Sequence, residues 1–436
     1  MKRAVLALTY WVFVPLAALH AAETLKPKPN IVIIVADDLG YGDLTCYGSS
    51  IRTPNIDRLA NEGTRFTDFH SNGSVCSPTR CALMTGRYQQ RAGIAALVRG
   101  DNGMSPNEFT IAEAMKSSGY VTGMFGKWHL GELPKFNPVK QGFDEYKGSL
   151  GGRIDYFTHH AAGKPNTLDW WNGVDSFEEK GYSTTLIADH SIDFIKRSKS
   201  KPFFLHVAFN APHTPLQFPE ATDTKDPEAY RNVVQWMDKE VGRIVAALSE
   251  EGLAKNTFVF FFSDNGGHEG ITGCSNKPLR GFKGSFWEGG HREPGIAWWP
   301  GHVPAGKVTD QTAMGMDLMP TVIELAGATL PADCKLDGIS LASLLLHEQP
   351  LPPRKLFWAQ GRNWAMRDGP WKLLHEGDSE YLFDLGKDLG EQHDLSAQYP
   401  ERVKTMREDF QAWAADVGAG SGRGSRSKKQ QPKESP

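Results

Sequence analysis

The chain has little net charge, few cysteines and no apolar run near its start that is long enough for a membrane span. Its 48 basic and 51 acidic residues leave a net charge of −3, so no overall basic balance favours nucleic acid as a partner. The short apolar run near the N-terminus argues against stable membrane insertion. With 40% hydrophobic and 23% charged residues, the composition is that of an ordinary globular protein with a substantial core.

Residues 1–22 have the pattern of a secretory signal peptide. Met1-Lys2-Arg3 is a basic start, an apolar middle follows, and small residues lie at Ala21-Ala22. We therefore predict cleavage near residue 22 and a secreted or periplasmic protein. An uncleaved N-terminal anchor is the alternative.

Short apolar runs alternate with helical patterns, which predicts an α/β fold with a large mixed, mostly parallel sheet flanked by helices. The predicted strands are residues 31–35, 121–125, 203–209 and 257–262, and the predicted helices include residues 56–62 and 229–251. Residues 135–182 are rich in glycine and aromatics without a clear period, and are predicted to form long loops.

The pattern changes at about residue 350. Short apolar runs at residues 357–359, 364–366, 371–374 and 381–383 precede a predicted helix over residues 400–417. We therefore predict a catalytic domain over 28–349 and a small C-terminal antiparallel α+β subdomain over 350–417. Residues 418–436 are rich in glycine, serine and lysine and are predicted to be a disordered tail.

Polar side chains follow all four predicted strands. They are Asp37 and Asp38, then Lys127 and His129, then His213, and finally Asp264 and Asn265. Ligands of open α/β sheets gather beyond the carboxyl ends of the strands, and packing alone favours apolar residues there. Four such strand ends therefore indicate a functional site.

The acids and the amide in this set offer only oxygen ligands. Three carboxylates are costly to bring together without a cation, and hard oxygen ligands suit Ca²⁺ or Mg²⁺. Arg80, Lys127 and Lys283 are the candidate cations for a bound anion, and His129 and His213 the candidates for proton transfer. The alternative is that the acids only cap turns at residues 38–40 and 264–266.

Residues 74–86 contain the motif Cys76-x-Pro78-x-Arg80. Pro78 fits the first turn of a helix and Gly86 its end. Cys76 would then lie at a helix N-terminus beside a permanent cation, where a thiolate is favoured. A buried or disulfide-bonded cysteine is the alternative. The five cysteines, Cys46, Cys76, Cys81, Cys274 and Cys334, leave four if Cys76 is modified, enough for two disulfides or none.

These residues resemble the type I sulfatases of the alkaline-phosphatase superfamily, in which the cysteine of C-x-P-x-R is oxidised to formylglycine. The matching blocks are residues 36–40, 76–86, 126–131, 211–213, 263–267, 280–292 and 316–321. The resemblance implies an alkaline-phosphatase-like fold and, as a maturation partner, the formylglycine-generating enzyme. It also implies one Ca²⁺, with Mg²⁺ as the alternative, held by Asp37, Asp38, Asp264, Asn265 and an oxygen of modified Cys76.

The resemblance further implies a mechanism. One hydroxyl of the hydrated aldehyde, held by Arg80, attacks the sulfur of a sulfate ester, and Lys127 and Lys283 meet the charge on the sulfuryl oxygens. His213, alone or together with Lys283, protonates the departing alcohol. His129 then deprotonates the second hydroxyl, which expels sulfate and regenerates the aldehyde.

A sulfated carbohydrate is the predicted substrate. The leader, the aromatic loop segment and the cations Arg99 and Arg153 favour it, and His268 and His291 are further candidates for contact with the sugar. The alternatives are an aryl sulfatase, a phosphate or phosphonate esterase of the same superfamily, a non-catalytic glycan-binding relative and an unrelated cysteine hydrolase.

Overall fold

The computed structural model describes residues 28–220, 228–268 and 270–419; the predicted signal peptide and residues 420–436 lie outside these ranges. Within them the larger of two sheets has eleven strands. These are β1 (Asn30–Ala36), β2 (Thr64–His70), β3 (Val121–Gly126), β4 (Glu145–Gly148), β5 (Trp171–Asn172), β6 (Asp175–Ser176), β7 (Phe203–Ala208), β8 (Thr257–Ser263), β9 (Arg292–Trp298), β10 (Lys307–Thr309) and β11 (Ala313–Met314).

The strand order in this sheet is β10-β2-β9-β8-β1-β7-β3-β4-β5-β6, and β11 also pairs with β2. Strands β8, β1, β7, β3 and β4 are parallel to one another, whereas β9 is antiparallel to both β2 and β8. The prediction of a large mixed, mostly parallel sheet is confirmed. The four predicted strands form its adjacent set β8-β1-β7-β3.

The described residues form nine α-helices. They are α1 (Pro54–Glu62), α2 (Cys76–Thr85), α3 (Ile111–Ser117), α4 (Ser183–Ser198), α5 (Ala229–Glu250), α6 (Glu288–His291), α7 (Leu318–Ala326), α8 (Ala342–His347) and α9 (Pro400–Val417). Of these, α1, α4 and α5 pack on one face of this sheet and α2, α3, α7 and α8 on the other. Within the same ranges, none of the nine helices combines the length and apolar character needed to cross a membrane.

Strand β1 shows why the apolar runs could be recognised in the sequence. Val32 and Ile34 pack into the core beneath α4 and α5, while Ile31, Ile33 and Val35 pack into a second core with α2, α3 and α7. A parallel strand buried on both faces is apolar at every position instead of alternating with polar residues.

Strands β2 and β9 were not predicted from the sequence. Strand β9 begins with Arg292, Glu293 and Pro294, residue types that are uncommon inside a sheet. The charge of Arg292 is compensated by two acids: it forms ion pairs at 3.2 Å with Asp68, which is distant in the chain, and with Glu288, four residues before it. The region predicted as long loops also contains the short strands β4, β5 and β6, which extend the sheet at one edge.

The C-terminal part contains a separate antiparallel sheet in the order β12 (Lys355–Gln360), β13 (Asn363–Asp368), β14 (Trp371–Glu376) and β15 (Ser379–Asp384). Its buried residues pack against α9 and against Trp287 and Met316 of the preceding part. The predicted small antiparallel α+β unit is confirmed. Its contact with Trp287 and Met316 joins it to the part of the chain that contains the larger sheet.

Candidate active site

The carboxyl ends of β8, β1, β7 and β3 lie side by side at one edge of the sheet. In this order they are followed by Asp264 and Asn265, Asp37 and Asp38, His213, and Lys127 and His129. Gly126 ends β3 with a φ of 112°, and the N–H of Lys127 donates to the carbonyl of Ala208 at 2.8 Å. The structure thus brings together the polar residues that follow four separate strands.

Helix α2 presents Cys76 and Arg80, one turn apart, to the same place. All ten residues of this helix are buried. Gly86 follows its last residue with a φ of 64°, and the Gly86 N–H donates to the Ala82 carbonyl at 2.8 Å. The predicted helix and its glycine end are confirmed.

The acids and the amide are buried and in contact. Nδ2 of Asn265 donates to Oδ1 of Asp38 at 2.8 Å, and the N–H of Asp38 donates to Oδ1 of Asp264 at 3.3 Å. Asp38 has a φ of 66°, a strained conformation for a residue other than glycine that clusters at functional sites.

Buried cations lie against these carboxylates. Nζ of Lys127 donates to Oδ2 of Asp37 at 2.6 Å, with both side chains fully buried. Nε of Arg80 donates to Oδ2 of Asp264 at 2.8 Å, and another Arg80 nitrogen donates to the carbonyl of Lys127 at 2.8 Å. Each of the two buried cations is thereby fixed by a carboxylate.

The pKa values of Asp38 and Asp264 shift in opposite directions, because the two acids have different charged neighbours. Burial disfavours the Asp38 anion, but His213 and Lys283 outweigh it and hold the pKa of Asp38 below its ordinary value. Nζ of Lys283 donates to both oxygens of Asp38, at 2.6 and 2.8 Å. By contrast, burial and the charge of Asp37 raise the pKa of Asp264 to about 6. The side chains of the site therefore do not fully neutralise its carboxylates, and a bound cation would be favoured there.

The carboxylate and amide oxygens of the site, but not the thiol and imidazole beside them, fit a hard divalent cation. Asp37, Asp38, Cys76 and His213 each offer one atom, and these four atoms lie within 4.8 Å of one another. Oδ1 of Asn265 is buried and accepts no hydrogen bond from the part of the chain that the structure describes. Carboxylate and amide oxygens of this kind are ligands for Ca²⁺ or Mg²⁺.

The surroundings of Cys76 favour the neutral thiol over the thiolate that its place at a helix N-terminus would favour. Its side chain is buried, and Sγ lies 3.5 Å from Oδ1 of Asp37 and 3.5 Å from Nζ of Lys283. Burial raises the pKa of the Cys76 thiol to about 12, despite the nearby charges of Lys127 and Lys283. All five cysteines lie in the described ranges and all five are unpaired.

Two histidines lie beside the cysteine. The carbonyl of Thr214 can only accept, so Nδ1–H of His213 donates to it at 2.7 Å, and Nε2 lies 3.4 Å from Oδ2 of Asp38. His129 has a φ of 54°, and its ring packs so tightly on Gly152 that a Cβ there would lie 2.5 Å from Nε2. Burial lowers the pKa of both histidines, and the charge of Asp38 opposes this shift at His213.

A cleft of about 870 Å³ opens onto these groups. Its lining includes Cys76, His129, His213 and Lys283 together with the exposed residues Arg99, Arg153, Lys164 and His268. Three of the four residues predicted to contact the sugar therefore line the cleft. Exposed cations around a cleft raise the local concentration of an anionic ligand.

The fourth, His291, lies elsewhere. It is fully buried, with Nδ1 3.0 Å from Nδ1 of His70 and its ring stacked on Trp358 at a centroid distance of 4.2 Å. A ring buried among core side chains cannot contact a sugar, so the prediction for His291 is wrong.

The aromatic loop segment is largely core, with Tyr156, His159 and Trp170 buried. Tyr156 has a role that the sequence did not reveal, because its Oη lies 2.7 Å from the carbonyl oxygens of both Asn210 and His213. Tyr156 thus fixes the loop that carries His213. This contact joins residues more than fifty positions apart, and no local pattern signals it.

Comparisons with known proteins agree with this geometry. The Sulfatase family model matches residues 29–328. N-acetylgalactosamine-6-sulfatase of Sus scrofa is 38% identical over 472 aligned positions, which cover 93% of this chain and 89% of the relative. Arylsulfatase A of Homo sapiens is 35% identical over 468 positions, covering 90% of this chain and 89% of the relative.

A solved structure is also similar. The crystal structure of Ps i-CgsB in complex with k-i-k-neocarrahexaose superposes with a TM-score of 0.83 and 35% sequence identity, covering 89% of this chain and 93% of that chain.

A mixed sheet whose strand ends hold buried acids and cations against a helix-start cysteine defines an enzyme for anionic esters. The family match and the relatives specify the class further. The chain belongs to the type I sulfatase family and is a sulfuric ester hydrolase.

Proposed function

We propose that this protein hydrolyses sulfate esters of a sulfated carbohydrate, using formylglycine derived from Cys76 and one Ca²⁺. The proposal rests on the position of the Cys76 side chain. Its Sγ lies 3.5 Å from an oxygen of Asp37 and 3.5 Å from Nζ of Lys283, and it lines the cleft. An oxygen in this position would lie next to Asp37, a proposed Ca²⁺ ligand, and next to Lys283, which would bind the sulfate group.

Relatives and charge support a carbohydrate substrate. One similar enzyme is named for a sulfated amino sugar, and one similar structure contains neocarrahexaose. The exposed Arg99, Arg153 and His268 line the cleft, where they can contact polar groups of a sugar. The similarity to arylsulfatase A keeps an aryl sulfate as the alternative.

Asp37, Asp38, Asp264 and Asn265 would hold the Ca²⁺, with Mg²⁺ as the alternative, and an oxygen on residue 76 would complete the ligand set. A bound ion would supply positive charge that stabilises developing negative charge in the site. Formylglycine, made by the formylglycine-generating enzyme during maturation, supplies two hydroxyls on one carbon when hydrated.

The remaining side chains bind the anion and move protons. Arg80 and Lys127 are held by carboxylates. Arg80 would hold the attacking hydroxyl at residue 76, while Lys127 and Lys283 would bind sulfuryl oxygens on which negative charge increases. His213, when it carries a proton on Nε2 as well as on Nδ1, would deliver the Nε2 proton to the departing alcohol. The neutral ring of His129 would accept the proton of the group at residue 76.

Sulfate release from defined substrates tests the proposed function. We expect the protein, produced in a host that makes formylglycine, to release sulfate from fragments of at least one glycan among carrageenan, chondroitin, heparan and mucin. We also expect kcat/KM for an aryl sulfate to exceed that for the matched aryl phosphate. Activity confined to aryl sulfates would contradict the carbohydrate substrate, and faster phosphate release would favour a phosphoesterase.

Removal of Ca²⁺ is expected to lower both activity and stability. Excess chelator should abolish sulfate release, and Ca²⁺ at about 100 times its Kd should restore it while stabilising the fold by roughly 2.7 kcal/mol. The stabilisation can be measured as a shift in Tm without substrate. Asn265→Ala should reduce this shift, because Oδ1 of Asn265 is an unpaired ligand atom, whereas Asn172→Ala at an exposed position should leave it unchanged. An equal shift in both variants would show that Ca²⁺ binds elsewhere.

Export of the protein remains a prediction from residues 1–22, which lie outside the described residues. N-terminal sequencing of the mature protein should find a start near residue 23. An intact Met1 would contradict secretion or release into the periplasm.

A further inference from the structure

A second cavity of about 920 Å³ adjoins the active-site cleft. The cleft and this outer cavity share a wall formed by Arg153, Ala161, Ala162 and Thr214. Thr214 directly follows His213, to which we assign protonation of the departing alcohol. The outer cavity therefore lies on the side of the cleft where the sugar that carries the sulfate is released.

We propose that the outer cavity binds further sugar units of the substrate, so that the enzyme desulfates a unit within an oligosaccharide in preference to a single sulfated sugar. This inference rests on the proposed carbohydrate sulfatase function and adds the length of the substrate to it.

Residues 153–165 and residues 214–216 form the two main walls of the outer cavity, and hydrogen bonds connect them. The N–H of Tyr156 donates to Oε1 of Gln217 at 2.9 Å, and Nε2 of Gln217 donates to Oδ2 of Asp155 at 2.8 Å. Oη of Tyr156 lies 2.7 Å from the carbonyl of His213 on the opposite wall. Because these hydrogen bonds already fix the walls, little of the protein has to become ordered when a ligand binds, and this favours affinity.

The lining of the outer cavity matches a sugar ring, which has C–H faces and hydroxyl groups. Leu216 and Ile271 offer apolar surface, while Thr158 and His160 offer hydrogen-bonding groups. Arg153, exposed on the shared wall, presents a positive charge to both spaces and can contact an anionic substituent at the junction of two sugar units.

The substrate length can be varied with the sulfated unit held constant. A matched series would consist of the sulfated monosaccharide, the corresponding disaccharide and tetrasaccharide, and an aryl sulfate. We expect kcat/KM for the tetrasaccharide to exceed that for the monosaccharide by roughly tenfold or more, because the added units bind in the outer cavity.

Two variants fill the outer cavity from different walls. Thr158→Trp and Thr272→Trp both replace exposed residues that line this cavity and not the cleft. Each should reduce the tetrasaccharide-to-monosaccharide ratio of kcat/KM to near one, while kcat/KM for the aryl sulfate stays within about twofold of wild type. Thr329→Trp, at an exposed position elsewhere, is the matched control and should retain the full ratio. The Tm of each variant establishes that it is folded.

The outcomes separate the two proposals. A wild-type ratio near one with good activity on the monosaccharide would overturn the extended-substrate proposal alone. The same holds if folded Thr158→Trp and Thr272→Trp both keep the wild-type ratio. Failure to release sulfate from every carbohydrate, with activity on the aryl sulfate, would overturn the proposed function and the inference that rests on it.

Discussion

Replacing Cys76 by alanine is expected to lower kcat for sulfate release by roughly four to six orders of magnitude, as expected for loss of an enzyme's nucleophile. Alanine has no side-chain sulfur from which the aldehyde can be made. Sγ of Cys76 lies 3.5 Å from Oδ1 of Asp37 and 3.5 Å from Nζ of Lys283. Initial rates on an aryl sulfate, measured with the folded variant, give the loss directly. Peptide mass analysis of the wild type should show formylglycine at position 76.

Cys81→Ala is the matched control for this prediction. Cys81 lies on the same helix α2 and is equally buried, but it packs in the apolar core beneath the sheet. Its replacement should lower stability modestly and leave the kcat of the folded enzyme near wild type. Full activity of wild-type protein that carries unmodified Cys76 would refute the formylglycine mechanism.

Replacing Lys372 by methionine is expected to lower the free energy of unfolding by about 3–5 kcal/mol. Lys372 lies on β14 and is fully buried, and its Nζ forms ion pairs with Glu288 at 2.9 Å and with Glu391 at 2.8 Å. Its removal would leave buried carboxylates with less compensating charge at the junction of the C-terminal sheet and the larger part. Urea denaturation of both proteins measures the difference.

Lys387→Met is the matched control for Lys372→Met. The Lys387 side chain is 86% exposed and its ion pair with Asp384 is solvated, so the change should alter the free energy of unfolding by less than about 0.5 kcal/mol. Equal effects at the two positions would mean that the buried charge network contributes nothing specific to stability.

The sequence predicted those features of the site that depend on local pattern. Continuous apolar runs mark strands that are buried on both faces, and the polar residues directly after them reach the same edge because parallel strands share a direction. Asp37, Lys127 and Asp264 could be assigned in this way. Pro78 and Gly86 likewise mark the bounds of a helix from residue preferences alone.

Strand β9 could not be predicted, because what allows it to be buried lies far away in the chain. Arg292 is compensated by Asp68 on β2, which is distant in the chain, in addition to Glu288, only four residues before it. A charged, proline-containing segment has the pattern of a loop until those partners are known.

The order of apolar and polar segments therefore specified the sheet, the edge that bears the site and the chemical character of its ligands. Burial and distant contacts, which the tertiary structure alone supplies, decided the rest. They raise the pKa of the Cys76 thiol, since desolvation outweighs the attraction of two lysines. They also bury His291 among core side chains and fix the segments that line the outer cavity beside the cleft. A pKa or a contact depends on every charge and atom within a few ångströms, and residues distant in sequence supply most of these.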